Sequence, residues 1–149
     1  MSINRIKALV LSALLTLSLP LQSATLDGRG FAVHSGNRIT VSTDNGKFRE
    51  VILKGIAVPD AASSAGRNAK RQLHSLLAGQ VVTIEYRTMN PRGVIIGTVL
   101  RGGADMNLRL IQAGLAWVKK ESGMNRERLD RYQAAEQQAR QRRLGLWQH

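Results

Sequence analysis

The stretch Asn107-Leu108-Arg109-Leu110-Ile111-Gln112-Ala113-Gly114-Leu115-Ala116-Trp117-Val118 reads as a short helix, Asn107 to Ala113, stopped by Gly114. A glycine just past a helical segment takes the left-handed backbone that ends it. Upstream of this stretch the pattern is β-rich. Gly28 to Val41 reads as short strands around the turn Ser35-Gly36-Asn37, with Phe31, Val33, Ile39 and Val41 as apolar positions. Asn45-Gly46 marks the next turn, because that dipeptide accepts the positive φ angles of a tight hairpin. Phe48 to Ile56 is the third strand, with Val51, Leu53 and Gly55 on one face and Ile52 and Ile56 on the other. Ala69, Leu73, Leu76 and Leu77 then fall at helical spacing, ended by Gly79. Val81 to Tyr86 and Val94 to Leu100 are two further strands, with the loop Met89 to Gly93 between them and Gly102-Gly103 as a turn after them. Downstream, a last helix runs from about Asn125 to Arg143 and stops at Gly145, with Leu129, Tyr132 and Ala139 as a narrow apolar stripe. Five short strands with helices at these places predict an α+β fold, a small closed barrel of the oligonucleotide-binding (OB-fold) type with about three helices.

Composition sets the setting for that fold. Arg5 and Lys7 precede the apolar run Ala8 to Leu19, followed by Pro20 to Ala24 with small residues at the end. That order is a secretory signal peptide over 1–24, cut after Ser23 or Ala24. The run is too short for a spanning helix, which needs roughly 20 apolar residues. The expectation is a protein of the periplasm or secreted medium, with one domain over 25–149 and no transmembrane segment once mature. The chain has no cysteine, so disulfides add nothing to its stability. It carries 22 basic against 10 acidic residues, a net +12 to which the leader contributes only Arg5 and Lys7. A field of that sign attracts nucleic acid or another polyanion.

Three ordered stretches resemble the thermonuclease, or staphylococcal-nuclease-like, family across about residues 29 to 148. They are Leu53-Lys54-Gly55-Ile56-Ala57-Val58-Pro59-Asp60, the segment Asn107 to Val118, and Tyr132 to Arg140 followed by Leu144-Gly145-Leu146-Trp147. The resemblance implies calcium-dependent phosphodiester cleavage. Two aspartates and a carbonyl hold the metal, a glutamate orients water, and two arginines neutralise the phosphate. Those roles need a hard cation among ionised oxygens and fixed positive charge on the phosphoryl group.

The resemblance also places those roles on this chain, where most are emptied. The metal aspartate of the family's Asp-Gly-Asp-Thr turn falls on Asn37, and the aspartate of Gly-Ile-Asp on Ala57. The two phosphate arginines fall on Ile52 and Val94, and only the glutamate position keeps an acid, as Asp60. Arg49, three residues from Ile52 along the strand, faces the other way. The two stacking tyrosines correspond to Lys120 and Ser122, and Arg92 likewise stands where the family has tyrosine. Arg38, Arg92 and Lys120 are therefore the candidate nucleic-acid contacts, in a groove that stays cationic without a metal. No metal site and no cofactor are expected; calcium enters only if the chain is an active nuclease with a rearranged site of Asp60, Asn37 and Arg92. A third reading is an envelope module that binds protein. His34, His74 and His149 show no metal-ligand spacing, and exposed aromatic residues are expected to be few, with Trp117 and Trp147 in core and tail packing.

Overall fold

The computed structural model describes residues 22–149, so the expected leader lies outside the described residues except for Gln22, Ser23 and Ala24. Strands β1 (Ala24–Ser35), β2 (Arg38–Ser42), β3 (Phe48–Leu53), β5 (Val81–Met89) and β6 (Ile95–Arg101) form the barrel wall. They run β3-β2-β1-β5-β6, all antiparallel, and the ring closes where β3 and β6 pair in parallel, Val51 with Ile95 and Leu53 with Gly97. Of three two-residue strands, β7 (Ala104–Asp105) extends the wall beyond β6, while β4 (Ile56–Ala57) and β8 (Trp117–Val118) pair as a separate two-stranded sheet. The helices are α1 (Ser64–Leu77), α2 (Met106–Gln112) and α3 (Arg126–Gln141). This is the expected α+β barrel. The two-residue strands escaped the sequence because alternation needs several residues to be visible.

Alternation along the wall fills the barrel. Ile39, Val41, Val51, Leu53, Ile84 and Val99 are buried to within a percent or so, and their neighbours face out. One expectation fails. Ile56 does not oppose Val51 and Leu53 but joins them in the core. A turn at Lys54-Gly55 separates β3 from β4, and Gly55 has φ +80°, which resets the alternation. Helix α1 caps one side with Ala69, Leu73 and Leu77, all fully buried, and its first turn is closed by the Ser63 hydroxyl accepting from Gly66 N at 2.9 Å. On α3 the buried stripe is Tyr132, Ala135 and Ala139, with Leu129 only half-buried in the first turn.

Two polar knots join these layers. Asn107 is fully buried at the second position of α2. Its Oδ1 accepts from Val99 N at 3.1 Å, and its Nδ2 donates to Lys54 O at 2.9 Å and Gly97 O at 3.2 Å. One side chain thus satisfies backbone groups of β6 and of the β3–β4 turn. The second knot anchors α3. Asp105 caps α2 by accepting from Leu108 N at 2.9 Å and also accepts from the Tyr132 hydroxyl at 2.8 Å. Arg128 donates to Glu85 at 2.8 Å and lies 3.4 Å from Asp105. Burial disfavours charge on Arg128, but the Glu85 hydrogen bond and the Asp105 carboxylate more than offset it and its pKa is raised. Burial, with the nearby Asp105 charge, pushes the Tyr132 phenol well above its ordinary range.

The second and third sequence motifs meet at a pair of glycines. Gly114 (φ +71°) and Gly145 (φ +50°) lie backbone to backbone, and Leu146 N donates to Gly114 O at 2.8 Å. A Cβ on Gly114 would sit 2.2 Å from Leu144 O, and one on Gly145 would sit 2.3 Å from Gly114 O. Only glycine fits at either place.

Asn107→Ala removes the side-chain partner of Val99 N and of Lys54 O, while Gly97 O keeps Lys54 N at 2.7 Å. Each unpaired group costs about 1–3 kcal/mol, so urea denaturation is expected to show a loss of at least about 2 kcal/mol; a loss under about 1 kcal/mol contradicts this role for Asn107. The folded chain keeps the Tyr132 proton to higher pH than the unfolded chain does. Stability from this group is therefore complete below about pH 10 and falls above it, by at most about 1.4 kcal/mol per pH unit. Chemical denaturation between pH 8 and 11 is expected to show that fall in the wild type and a shallower one in Tyr132→Phe; parallel curves refute it.

Candidate functional site

The first turn of the site is set by α1. Gly36 is buried in the β1–β2 turn, and a Cβ there would lie 2.7 Å from the Ala69 Cβ and 3.2 Å from Val58 Cγ1. Gly66, three residues before Ala69, packs just as closely on the Asp60 carbonyl. Residues three apart share one helix face. The Asn37 turn and the Asp60 loop therefore sit side by side on the same face of α1, with Val58 between them.

Asn37 follows Gly36. Its Oδ1 accepts from the Ser35 hydroxyl at 2.9 Å, and its carbonyl accepts from Leu53 N at 2.8 Å, which ties the turn to the end of β3. Ile52, half-buried, stands directly across from Arg38 in the β2–β3 ladder. Ala57 pairs with Trp117. Asp60 is exposed; its Oδ1 accepts from Ala62 N at 2.7 Å, an Asx turn that leads into α1. Val94 is 5% exposed and belongs to the wall, held by its N–H donating to Asn90 Oδ1 at 3.0 Å. The structure thus gathers Asn37, Ile52, Ala57 and Asp60 at one corner, with Val94 just ahead of the β6 residues that pair with β3.

The three candidate cations differ in what they can do. Arg92 is exposed at the tip of the β5–β6 loop, and Lys120 is exposed just after β8. Lys119 N donates to Gly55 O at 2.9 Å, which lays the Lys119-Lys120 segment against the β3–β4 turn. Neither Arg92 nor Lys120 belongs to an ion pair among the described residues. Arg38 does. Its Nε lies 2.7 Å from Glu50 Oε1, with both side chains partly exposed, so much of its charge is spent locally. The sequence offered no sign of this pair, because it depends on the diagonal neighbour across β2 and β3.

One aromatic expectation changes. Trp117 is 36% exposed rather than packed inward, because β8 turns Val118 to the barrel and Trp117 away, beside Ala57. Trp147 is half-buried under the Arg140 guanidinium, 3.9 Å from its ring centre. Among the described residues no three His, Cys, Asp or Glu side chains cluster as metal ligands. His34 Nε2 lies 2.8 Å from the Thr40 hydroxyl on the outer face, and His74 and His149 are exposed elsewhere. The corner therefore presents one carboxylate, one amide oxygen already hydrogen-bonded, and two unpaired cations nearby.

Comparison with known proteins agrees with the three motifs. A family model described as "Staphylococcal nuclease homologue" matches residues 50–149. An "Uncharacterized endonuclease" of Escherichia coli is 31% identical over 131 residues, covering 87% of this chain and 82% of that protein. The protein of the same name from Escherichia coli O157:H7 is 30% identical over the same length. A "Micrococcal nuclease" of Shigella flexneri is 28% identical over 153 residues, covering 95% of this chain and 84% of its own.

Gly36→Ala forces the added methyl into Ala69. It is expected to cost about 1–3 kcal/mol by overpacking, read by denaturant titration. Adding Ala69→Gly is expected to restore part of that loss despite glycine's helix penalty of about 1 kcal/mol. Purely additive effects of the two changes show that the turn is not seated on α1.

Proposed function

The chain belongs to the staphylococcal nuclease family, and from that premise we propose that it is an exported member that binds nucleic acid through a basic groove without cutting it. The observation that carries this reading is the chemistry of the Asn37–Asp60 corner. A resident calcium ion takes six to eight oxygens, several of them ionised. Here Ala57 offers no donor, Asn37 offers a neutral amide whose oxygen already accepts from Ser35, and one Asp60 oxygen is held by Ala62 N. These residues do not fit the metal, so no cleavage step is routed through it. The phosphate clamp is equally absent from its family positions, Ile52 and Val94, which carry aliphatic side chains. Losing a single donor of that kind typically slows a reaction by 10²–10³-fold.

Binding needs less than catalysis. Arg92 and Lys120 have their charge available at the corner, Arg38 adds a partly neutralised one, and the chain as a whole is strongly basic. Contacts of this kind fall on phosphates and read little sequence. Localisation to the periplasm or medium rests on the leader sequence alone.

A second reading, favoured by the names of the relatives, is a working nuclease in which Asp60, Asn37 and Arg92 act in a rearranged site. Incubation of the mature protein with plasmid and RNA, in calcium, magnesium and chelator, separates the two. The expected result is intact nucleic acid throughout; metal-dependent cutting abolished by Asp60→Ala establishes the second reading. Duplex DNA affinity is expected to fall with salt at a log–log slope near −0.9 per phosphate engaged, and Arg92→Ala with Lys120→Ala is expected to flatten the slope by roughly two. Binding that is absent or insensitive to salt refutes the groove.

A further inference from the structure

We propose that Phe31 and Phe48 form a stacking platform for unpaired nucleobases on the outer face of β1–β3, making single-stranded nucleic acid the preferred ligand of the groove. The inference rests on the groove reading above and specifies its ligand. The chain has two phenylalanines. Both lie outside the core, 64% and 55% exposed, and they touch each other with ring centres 4.7 Å apart and planes tilted by 55°. Phenylalanine is ordinarily among the most buried residue types, so a chain that places both on the solvent face, in contact, leaves a large apolar surface without a use in folding.

The placement follows from an irregularity in β1. Its register with β2 steps from Gly30↔Val41 to Ala32↔Thr40, leaving Phe31 as an extra residue. A bulge of this kind re-aims a side chain. Here Gly30 and Val33 both keep partners in the barrel core, Val41 and Ile39, while Phe31 is exposed. Phe48 lies across from Ser42, which in turn lies across from Arg29.

Charge around the pair suits a polyanion. Arg29 and Lys47 are close neighbours of Phe31 and Phe48 in sequence, and neither belongs to an ion pair among the described residues. The Arg29 guanidinium donates to Gly79 O at 2.5 Å; a carbonyl partner leaves the charge in place. The acids nearby in sequence are Asp44, exposed in the β2–β3 turn, Glu50, paired with Arg38, and Asp27, whose Oδ1 accepts from the Thr83 hydroxyl. The surroundings of the two rings are otherwise polar, with Ser42 and Thr43 between the strands. Flat apolar rings alternating with fixed cations is the arrangement that holds single strands, in which every base offers a π face.

The platform also lies in line with the groove. Phe48, Glu50 and Ile52 alternate onto one face of β3, and Arg38 stands across from Ile52. At about 3.3 Å per residue, Phe48 is roughly 13 Å along the strand from the Ile52–Arg38 corner. A single strand held at Arg92 and Lys120 and continuing along β3 passes over the rings, whereas a duplex keeps its bases stacked inside and gains nothing there.

The test uses the mature protein and fluorescence anisotropy with three probes of equal length: oligo-dT, an abasic oligonucleotide of the same charge, and a DNA duplex. The wild type is expected to prefer oligo-dT to the abasic strand by roughly ten- to hundredfold, the range for one or two stacked bases. The double variant Phe31→Ala/Phe48→Ala is expected to lose that preference while its duplex affinity stays within about twofold. Phe31→Leu/Phe48→Leu, which keeps apolar bulk without the flat ring, is expected to behave the same way. Unchanged melting temperatures confirm that the variants fold. An oligo-dT preference that survives in both variants, or none in the wild type while duplex binding persists, overturns the platform and leaves the groove standing. Failure of the wild type to bind any probe at low salt removes both. Loss of binding to phosphatidylglycerol vesicles in the variants, with oligonucleotide binding intact, shows the rings to be a membrane contact instead.

Discussion

The barrel is held shut at the seam where Asn107 meets the backbone of β6 and of the β3–β4 turn. A parallel pairing such as β3 with β6 cannot be made by a local hairpin, and here the two strands are far apart in the chain. Asn107 places one carbonyl and two N–H groups among the backbone polar atoms at that seam, and none of the three is left without a partner. A fully satisfied buried amide is strongly directional, so it fixes where α2 sits on the barrel. From α2 the arrangement propagates: Asp105 caps the helix, takes the Tyr132 hydroxyl, and thereby docks α3.

This chain of dependence keeps the scaffold apart from the site. Asn107, Asp105, Tyr132 and the Gly114–Gly145 contact hold the closed end and the helices. Asn37, Ile52, Ala57 and Asp60 lie at a different corner, seated on the first turns of α1. Neutral or aliphatic residues at that corner remove ligands without disturbing any polar contact on which the barrel rests. Ile52 and Val94 even add apolar surface to the wall, and Val94 is buried there. The two regions meet only through backbone, where Leu53 N donates to Asn37 O and the adjoining Lys54 O accepts from Asn107, so side chains at the corner can vary while the scaffold stays.

Charge obeys a similar division. Among the described residues the ion pairs include Arg38 with Glu50 and Arg128 with Glu85 and Asp105, while Arg92 and Lys120 stay outside them, as do exposed cations of the helices such as Lys70, Arg71, Arg126 and Arg131. Net charge alone does not tell these two groups apart. A cation paired at 2.7 Å contributes little to the far field, so Arg38 adds less to the positive surface than Arg92 and Lys120 do.

Most of the fold was legible in the sequence, because alternation, helical spacing and the glycine stops are local signals. The five wall strands, the three helices and the three family stretches all belong to that class. The identity of the residue at each family site position was equally plain: Asn37, Ile52, Ala57, Val94 and Asp60 need only an ordered set of motifs to be located. What the tertiary structure decided were the meetings between side chains that share no local pattern. The Arg38–Glu50 pair, the Ser35 hydroxyl on Asn37, the outward Trp117 and the Phe31–Phe48 contact depend on cross-strand register, on a bulge at Phe31 and on a turn at Gly55. Register and bulges shift which face a residue shows by a single step, and a one-dimensional pattern carries no record of that step.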